Sequence, residues 1–292
     1  MKKIIVLFLL SAFVFKGFSQ AGALPEPFAP QTVKAFADSL FLDGFLDEAE
    51  GEYRRSLFTG GSQNGLFALS EKEGEDAVLK LTSIYHTNKD KSGILWLDSN
   101  FINKVSVPLQ EKIGIVEGGL LFLERDLENF SLFKEKINPL SQGFSPDFSN
   151  LLQISSLVLE NQIQQAAEIT KEAVLLNEVF APLNNAFSAY KTKRPGLALF
   201  LSCLLPGIGK WYGGTFSGFV TDFLMVGSFA AGTVVTGIQS EWKDWRPYVF
   251  GSAGLILWIV DIYGSYQNAK RYNAAQYRVL CQETDKVYEE IF

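Results

Sequence analysis

Two carboxylates fall where carboxylates are costly. Asp222 lies about six residues into an apolar stretch at 216–238, and Asp261 about six residues before the end of another at 248–266. An ionised side chain at the middle of a membrane-length helix costs roughly 2.5–3.5 kcal/mol on insertion scales, so such groups tend to have a task. Six helical residues rise roughly 9 Å. In antiparallel helices both carboxylates therefore sit at the same depth below one face, and Lys210 with the turn Pro206-Gly207-Ile208-Gly209 lies at that face too. The expectation is that Asp222 and Asp261 face each other beside residues 206–214, paired with Lys210. Two chemistries fit. The carboxylates could accept hydrogen bonds from backbone N–H groups freed at the turn, or they could bind an ion, a proton or a small polar ligand. The first is favoured, because nothing else in the sequence marks a conduction path.

Other reactive residues are isolated. His86 is the only histidine and stands in a predicted inter-helix turn, with no cysteine or carboxylate at metal-ligand spacing. Gly207-x-Gly209 has neither the spacing nor the preceding strand of a phosphate loop. Glu71, Glu73, Glu75 and Asp76 read as a solvated acidic run. Cys203 is expected to pack inside its apolar segment, and Cys281 to be a free thiol or part of a helix face. Neither enzyme activity nor a cofactor or metal is expected.

Charge separates the chain. Residues 20–190 carry 24 acidic and 13 basic side chains, a net of −11, whereas residues 191–292 carry 8 and 10. A domain at −11 repels phosphate backbones, which argues against nucleic acid and for a basic protein or peptide as partner.

The elements that must position these groups follow from the apolar pattern. Residues 1–19 read as a secretory signal: Lys2 and Lys3, a short apolar run, then small residues at Gly17 and Ser19. Residues 20–30 form a linker. Residues 31–190 are helical by three- and four-residue apolar spacing, with breaks at Gly60-Gly61, Asn88, Pro108, Pro139 and Pro146 and hairpin turns near residues 43, 88, 125 and 161. Residues 191–268 open on a basic collar (Lys191, Lys193, Arg194) and continue as a membrane module. Its stretches at 216–238 and 248–266 approach the ~20 residues that a spanning helix needs. Trp242 and Trp245, between them, suit a headgroup interface. The run 195–209, broken at Pro206, is either a third span or a re-entrant hairpin; the Lys and Arg distribution leans to three spans. Residues 269–292 continue the last span as an amphipathic tail helix.

Two resemblances add to this reading. Ala37, Ala49, Tyr53, Ser56 and Leu57 occupy the small and aromatic positions of a tetratricopeptide-type hairpin, with Gly61 where that family has proline. Such domains recruit partners and do no chemistry. Leu201 to Gly214, with Pro206, Gly207, Gly209 and Tyr212, resembles the opening of a family of small bacterial membrane domains. Lys210 stands where that family has glutamine. Residues 257–263 are similar to its closing span and to the two-transmembrane-helix domain family, which implies a membrane module and no activity. The expected fold is all-α: a degenerate tetratricopeptide-like hairpin domain followed by a two- or three-helix transmembrane module. The expected protein is an envelope scaffold or adaptor in the bacterial inner membrane, its acidic domain in the periplasm binding a protein or peptide. The alternative is a component of a transport or insertion system that uses the intramembrane acids.

Overall fold

The computed structural model describes residues 28–58, 69–138 and 143–292. The predicted leader, most of the linker, and the breaks at Gly60-Gly61 and Pro139 lie outside them. Among the described residues all regular structure is helical, with no strand. The helices are α1 (Pro30–Leu42), α2 (Leu46–Phe58), α3 (Glu71–Asn88), α4 (Lys91–Phe101), α5 (Val107–Glu124), α6 (Leu127–Ile137), α7 (Pro146–Leu159), α8 (Ile163–Leu176), α9 (Ala181–Ala189), α10 (Pro195–Leu204), α11 (Ile208–Tyr212), α12 (Phe216–Gln239) and α13 (Arg246–Ile291).

The first eight helices form four hairpins with one turn geometry. Gly44, Lys89, Arg125 and Asn161 each adopt a left-handed conformation, with φ of 83°, 52°, 57° and 60°. Each stands two residues before the second helix starts. The next residue's N–H donates to the carbonyl five positions back: Phe45 to Leu40 (2.9 Å), Asp90 to Tyr85 (3.0 Å), Asp126 to Leu121 (3.2 Å) and Gln162 to Leu157 (2.7 Å). This is the Schellman closure, which satisfies carbonyls that a helix end leaves open. Counted from the left-handed residue, position −7 is buried in all four hairpins (Ala37, Thr82, Gly118, Ile154). So are position +5 (Ala49, Ile94, Phe130, Ala166) and position +12 (Ser56, Phe101, Ile137, Ala173). These are the faces on which the paired helices meet.

Only Gly44 suits its left-handed conformation without steric cost; side chains at the other three turns bring Cβ too near a carbonyl. Arg125→Gly is therefore expected to stabilise the folded chain by about 0.5–1 kcal/mol, read as a higher midpoint in thermal or denaturant unfolding. Lowered stability would mean that the Arg125 side chain holds the turn.

The chain divides into two compact units after Ser145, with Phe292 counted in the first. In the first, α1–α6 enclose a core that includes Tyr53, Leu81, Tyr85, Ile94, Phe101 and Ile113. A ring of charges links α1 to α3. Lys34 Nζ donates to Asp38 (2.9 Å) and Asp76 (2.6 Å), and Lys80 Nζ donates to the same two residues (2.8 and 2.9 Å). The buried Tyr53 of α2 donates its hydroxyl to Asp38 at 2.7 Å. Burial alone would raise the Asp38 carboxyl, but the bonds from Lys80, Lys34 and Tyr53 outweigh it and hold it below the ordinary range.

The second unit holds α7–α13. α12 has 24 residues and α13 has 46, and both are long and apolar enough to cross a membrane. α10 has ten residues, or roughly 15 Å, half the thickness of a hydrocarbon core. The expected tail is the second half of α13, continuous with its apolar first half. It packs on the hairpin α7–α8 and its neighbours. The Tyr288 hydroxyl donates to Ser155 Oγ at 3.0 Å, and the Tyr277 hydroxyl donates to the Val158 carbonyl at 3.1 Å. Leu280, Cys281, Thr284 and Val287 are buried. Cys203, expected to pack, is exposed, whereas Cys281 is buried on the tail half of α13. His86 belongs to the last turn of α3 rather than to the loop.

Candidate functional site

The site is built on a helix break that proline forces. In a continuous helix the carbonyl of Ser202 would accept the N–H of residue 206, but Pro206 has none, and α10 ends at Leu204. The indole of Trp258 supplies the missing donor, with Nε1 2.7 Å from the Ser202 carbonyl. The freed N–H of Gly207 donates to Asp261 Oδ2 at 2.7 Å. The Gly209 N–H donates to Ser202 Oγ at 3.1 Å, and Ser202 Oγ shares a 2.7 Å bond with Ser265 Oγ. Ser265, one helical turn after Asp261, lies 3.4 Å from Asp261 Oδ1. Three backbone groups at the break thus find partners, two of them from α13, as buried backbone groups require.

Glycine is needed at two places here. Gly207 has φ +85°, and a Cβ there would lie 2.6 Å from the Phe219 carbonyl oxygen. A Cβ on Gly209 would overlap the Ala198 carbonyl oxygen and come within 2.7 Å of Ser265 Cβ. The short helix α11 is thereby pressed between α10 and α13.

The three charged residues meet at this break. Lys210, from α11, makes an ion pair with Asp222 of α12, and its Nζ lies 3.6 Å from Asp261 Oδ1 of α13. The Asp261 side chain is 1% exposed, so its charge depends on these partners and not on water. The aliphatic stem of Lys210 runs along Gly218 and Gly264, where a Cβ would touch it at 3.1 and 3.2 Å. Tyr212 stands apart from the three charges; its hydroxyl accepts the Arg194 N–H at 3.1 Å. Beside that contact, Lys193 and Asn273 exchange two hydrogen bonds of 2.7 and 2.8 Å, joining the basic collar to α13.

Sequence reasoning singled out Lys210, Asp222, Asp261, Pro206, Gly207, Gly209 and Tyr212, and missed the partners Ser202, Ser265, Trp258 and Asn268. Asn268 donates to the Lys210 carbonyl at 3.2 Å and accepts from the Thr215 hydroxyl at 3.2 Å. A signal for Ser265 and Asn268 was present, since they follow Asp261 at helical spacings of four and seven. Chemically the arrangement neutralises charge and closes a backbone break. Among the described residues no group of three or more His, Cys, Asp or Glu side chains could hold a metal ion.

Among the described residues, the fold and this break define an all-helical chain whose two longest apolar helices are fastened to a broken helix by a cluster of three charges, of which Asp261 is buried. No family model matches the chain, and neither a curated protein nor a solved structure matches it.

Proposed function

We propose that the chain is a membrane-anchored adaptor, in which helical hairpins bind a protein or peptide while α10–α13 hold the molecule in lipid. The observation that carries this reading is the surface of the two long helices. Only 6% of the apolar window in α12 and 17% of that in α13 is buried within the chain, whereas a soluble core helix is mostly buried. Leu224, Val234, Val235 and Ile238 of α12 and Leu255, Ile256, Ile259 and Val260 of α13 are exposed, while the charges lie inside. An apolar exterior around a polar interior suits a lipid solvent and is an aggregation hazard in water.

The packing of the tail supports two crossings. Residues 193 and 273 are joined by hydrogen bonds, and Tyr288 reaches Ser155, so both ends of the module belong on one side of the bilayer. That parity requires an even number of spans, with α10 and α11 as a re-entrant pair. It speaks against the three-span arrangement towards which the basic residues lean. Broken helix at membrane depth is tolerated where protein covers it, as α13 covers the turn.

The hairpins support a tetratricopeptide-like reading. Their shared turn and buried −7, +5 and +12 positions match that family's packing positions, and the first hairpin carries its small residues there. Ile94, Phe101, Phe130, Ile137 and Ile154 depart from it. The leader expected at residues 1–19 would put the hairpins in the periplasm, with an inner-membrane anchor. Lys191, Lys193, Arg194, Lys270 and Arg271 would then lie outside, against Lys243 and Arg246 inside, and this distribution favours the reverse orientation.

A photo-crosslinking residue at Leu132, exposed on the first unit, is expected to give a discrete polypeptide adduct in intact cells. One at Val235 is expected to give lipid adducts only. A reversed pattern would favour the transport reading, in which the membrane module acts on the substrate.

A further inference from the structure

Another buried carboxylate, this one without a counter-charge, lies in the first unit, far in sequence from the membrane module. Glu117 of α5 is 4% exposed, and its Oε2 atom has no hydrogen-bond partner. It lines a cavity of about 280 Å³ between α4, α5 and α6, whose apolar walls include Leu95, Leu121, Leu132 and Phe133. Every other charged group around this cavity is compensated. Asp98 of α4 pairs with Lys136 of α6, and Lys91 pairs with Glu124 at 2.5 Å and Asp126 at 3.4 Å. Glu117 alone has no counter-charge. A buried group of this kind costs stability until something pairs with it, and a cation supplied from outside would do so.

We infer that this cavity receives the side chain of a lysine or arginine from a partner polypeptide, with the methylene stem against the leucines and Phe133 and the cationic head on Glu117. The inference rests on the adaptor reading and specifies its groove. The cavity is large enough for one such side chain, and long basic side chains bury their stems along apolar walls while directing the charge to a polar group. The charge-assisted bond formed is among the stronger hydrogen bonds. Asp98 stays occupied by Lys136, which leaves room for one head group and not two.

Burial pushes the Glu117 carboxyl up to about 7. The cation binds the ionised form, and the ligand itself stays protonated throughout. Binding should therefore strengthen as pH rises through 7. The ionised fraction grows from roughly one in eleven at pH 6 to ten in eleven at pH 8, so affinity should rise about tenfold.

The test uses the full chain in detergent micelles and ligand-observed saturation-transfer NMR. The probes are Nα-acetyl-lysine N-methylamide, the arginine analogue, and the norleucine analogue as an uncharged control. Wild-type protein is expected to transfer saturation to the lysine and arginine side chains, with affinity rising about tenfold from pH 6 to pH 8, and to give none with norleucine. Glu117→Gln should lose the pH-8 gain while unfolding at the same midpoint or higher. A pH-independent signal in the wild type, or equal transfer to norleucine, would overturn the inference without need of the variant. Failure here with Leu132 crosslinks still forming would discard the cation site and leave the adaptor reading standing; loss of the crosslinks with side-chain binding intact would do the opposite.

Discussion

Asp261→Leu is expected to remove most of the folded protein from the membrane fraction. The carboxylate accepts the Gly207 N–H, lies 3.4 Å from the Ser265 hydroxyl and 3.6 Å from Lys210 Nζ, all away from water. Leucine leaves that N–H without an acceptor and weakens the counter-charge of Lys210. Breaking a buried ion pair by deleting one partner typically costs about 3–5 kcal/mol, a large share of a domain's total stability. Membrane-fraction abundance should fall several-fold, and what remains should melt earlier in detergent. Asp261→Asn keeps an oxygen for Gly207 and loses the charge, so it should fall between the wild type and Asp261→Leu. Normal abundance of Asp261→Leu with loss of a cellular function would instead mark the carboxylate as a ligand group.

Gly209→Val is expected to be damaging too, for a steric reason. The first added carbon already overlaps the Ala198 carbonyl oxygen and crowds Ser202 Oγ at 2.6 Å and Ser265 Cβ at 2.7 Å. The first of these is backbone, which cannot turn aside as a flexible side chain would. Overpacking of a tight site costs about 1–3 kcal/mol, and here it would also part the Gly209 N–H from Ser202. The two branches of valine place the change at the upper end, seen as a lower melting midpoint in detergent. Gly227 of α12 provides the control: a Cβ there meets nothing within 4 Å, so Gly227→Val should leave the midpoint near that of the wild type. If both glycines tolerate valine equally, the close approach of α10, α11 and α13 is wrong.

Much of this was legible in the sequence, and the reasons are physical. The four hairpin turns could be read because each combines a helix stop with a polar N-cap or a glycine, a local event. The meeting of Lys210, Asp222 and Asp261 could be read because helical rise converts sequence distance into depth, and depth was enough to bring them to one face. What could not be read was lateral packing. Nothing in the neighbourhood of Trp258 says that its indole meets the carbonyl orphaned by Pro206. Nothing near Glu117 says that its face of α5 turns inward, since its neighbours Val116 and Gly118 are buried too. The side of α13's tail was also hidden. Its tyrosines suit an interface with lipid as well as one with α7, and the bonds from Tyr288 to Ser155 and from Tyr277 to the Val158 carbonyl distinguish them.

The most direct test of two crossings is the sidedness of three engineered cysteines, placed singly at Lys191, Lys243 and Gln282 in a chain with Cys203 and Cys281 replaced by serine. All three positions are exposed, so a membrane-impermeant thiol reagent can reach each from its own side. Intact cells, compared with opened vesicles, should label residues 191 and 282 from one side of the membrane and residue 243 only from the other. Labelling of all three from the same side would mean that α12 and α13 do not cross the bilayer, and the anchor would be lost with them.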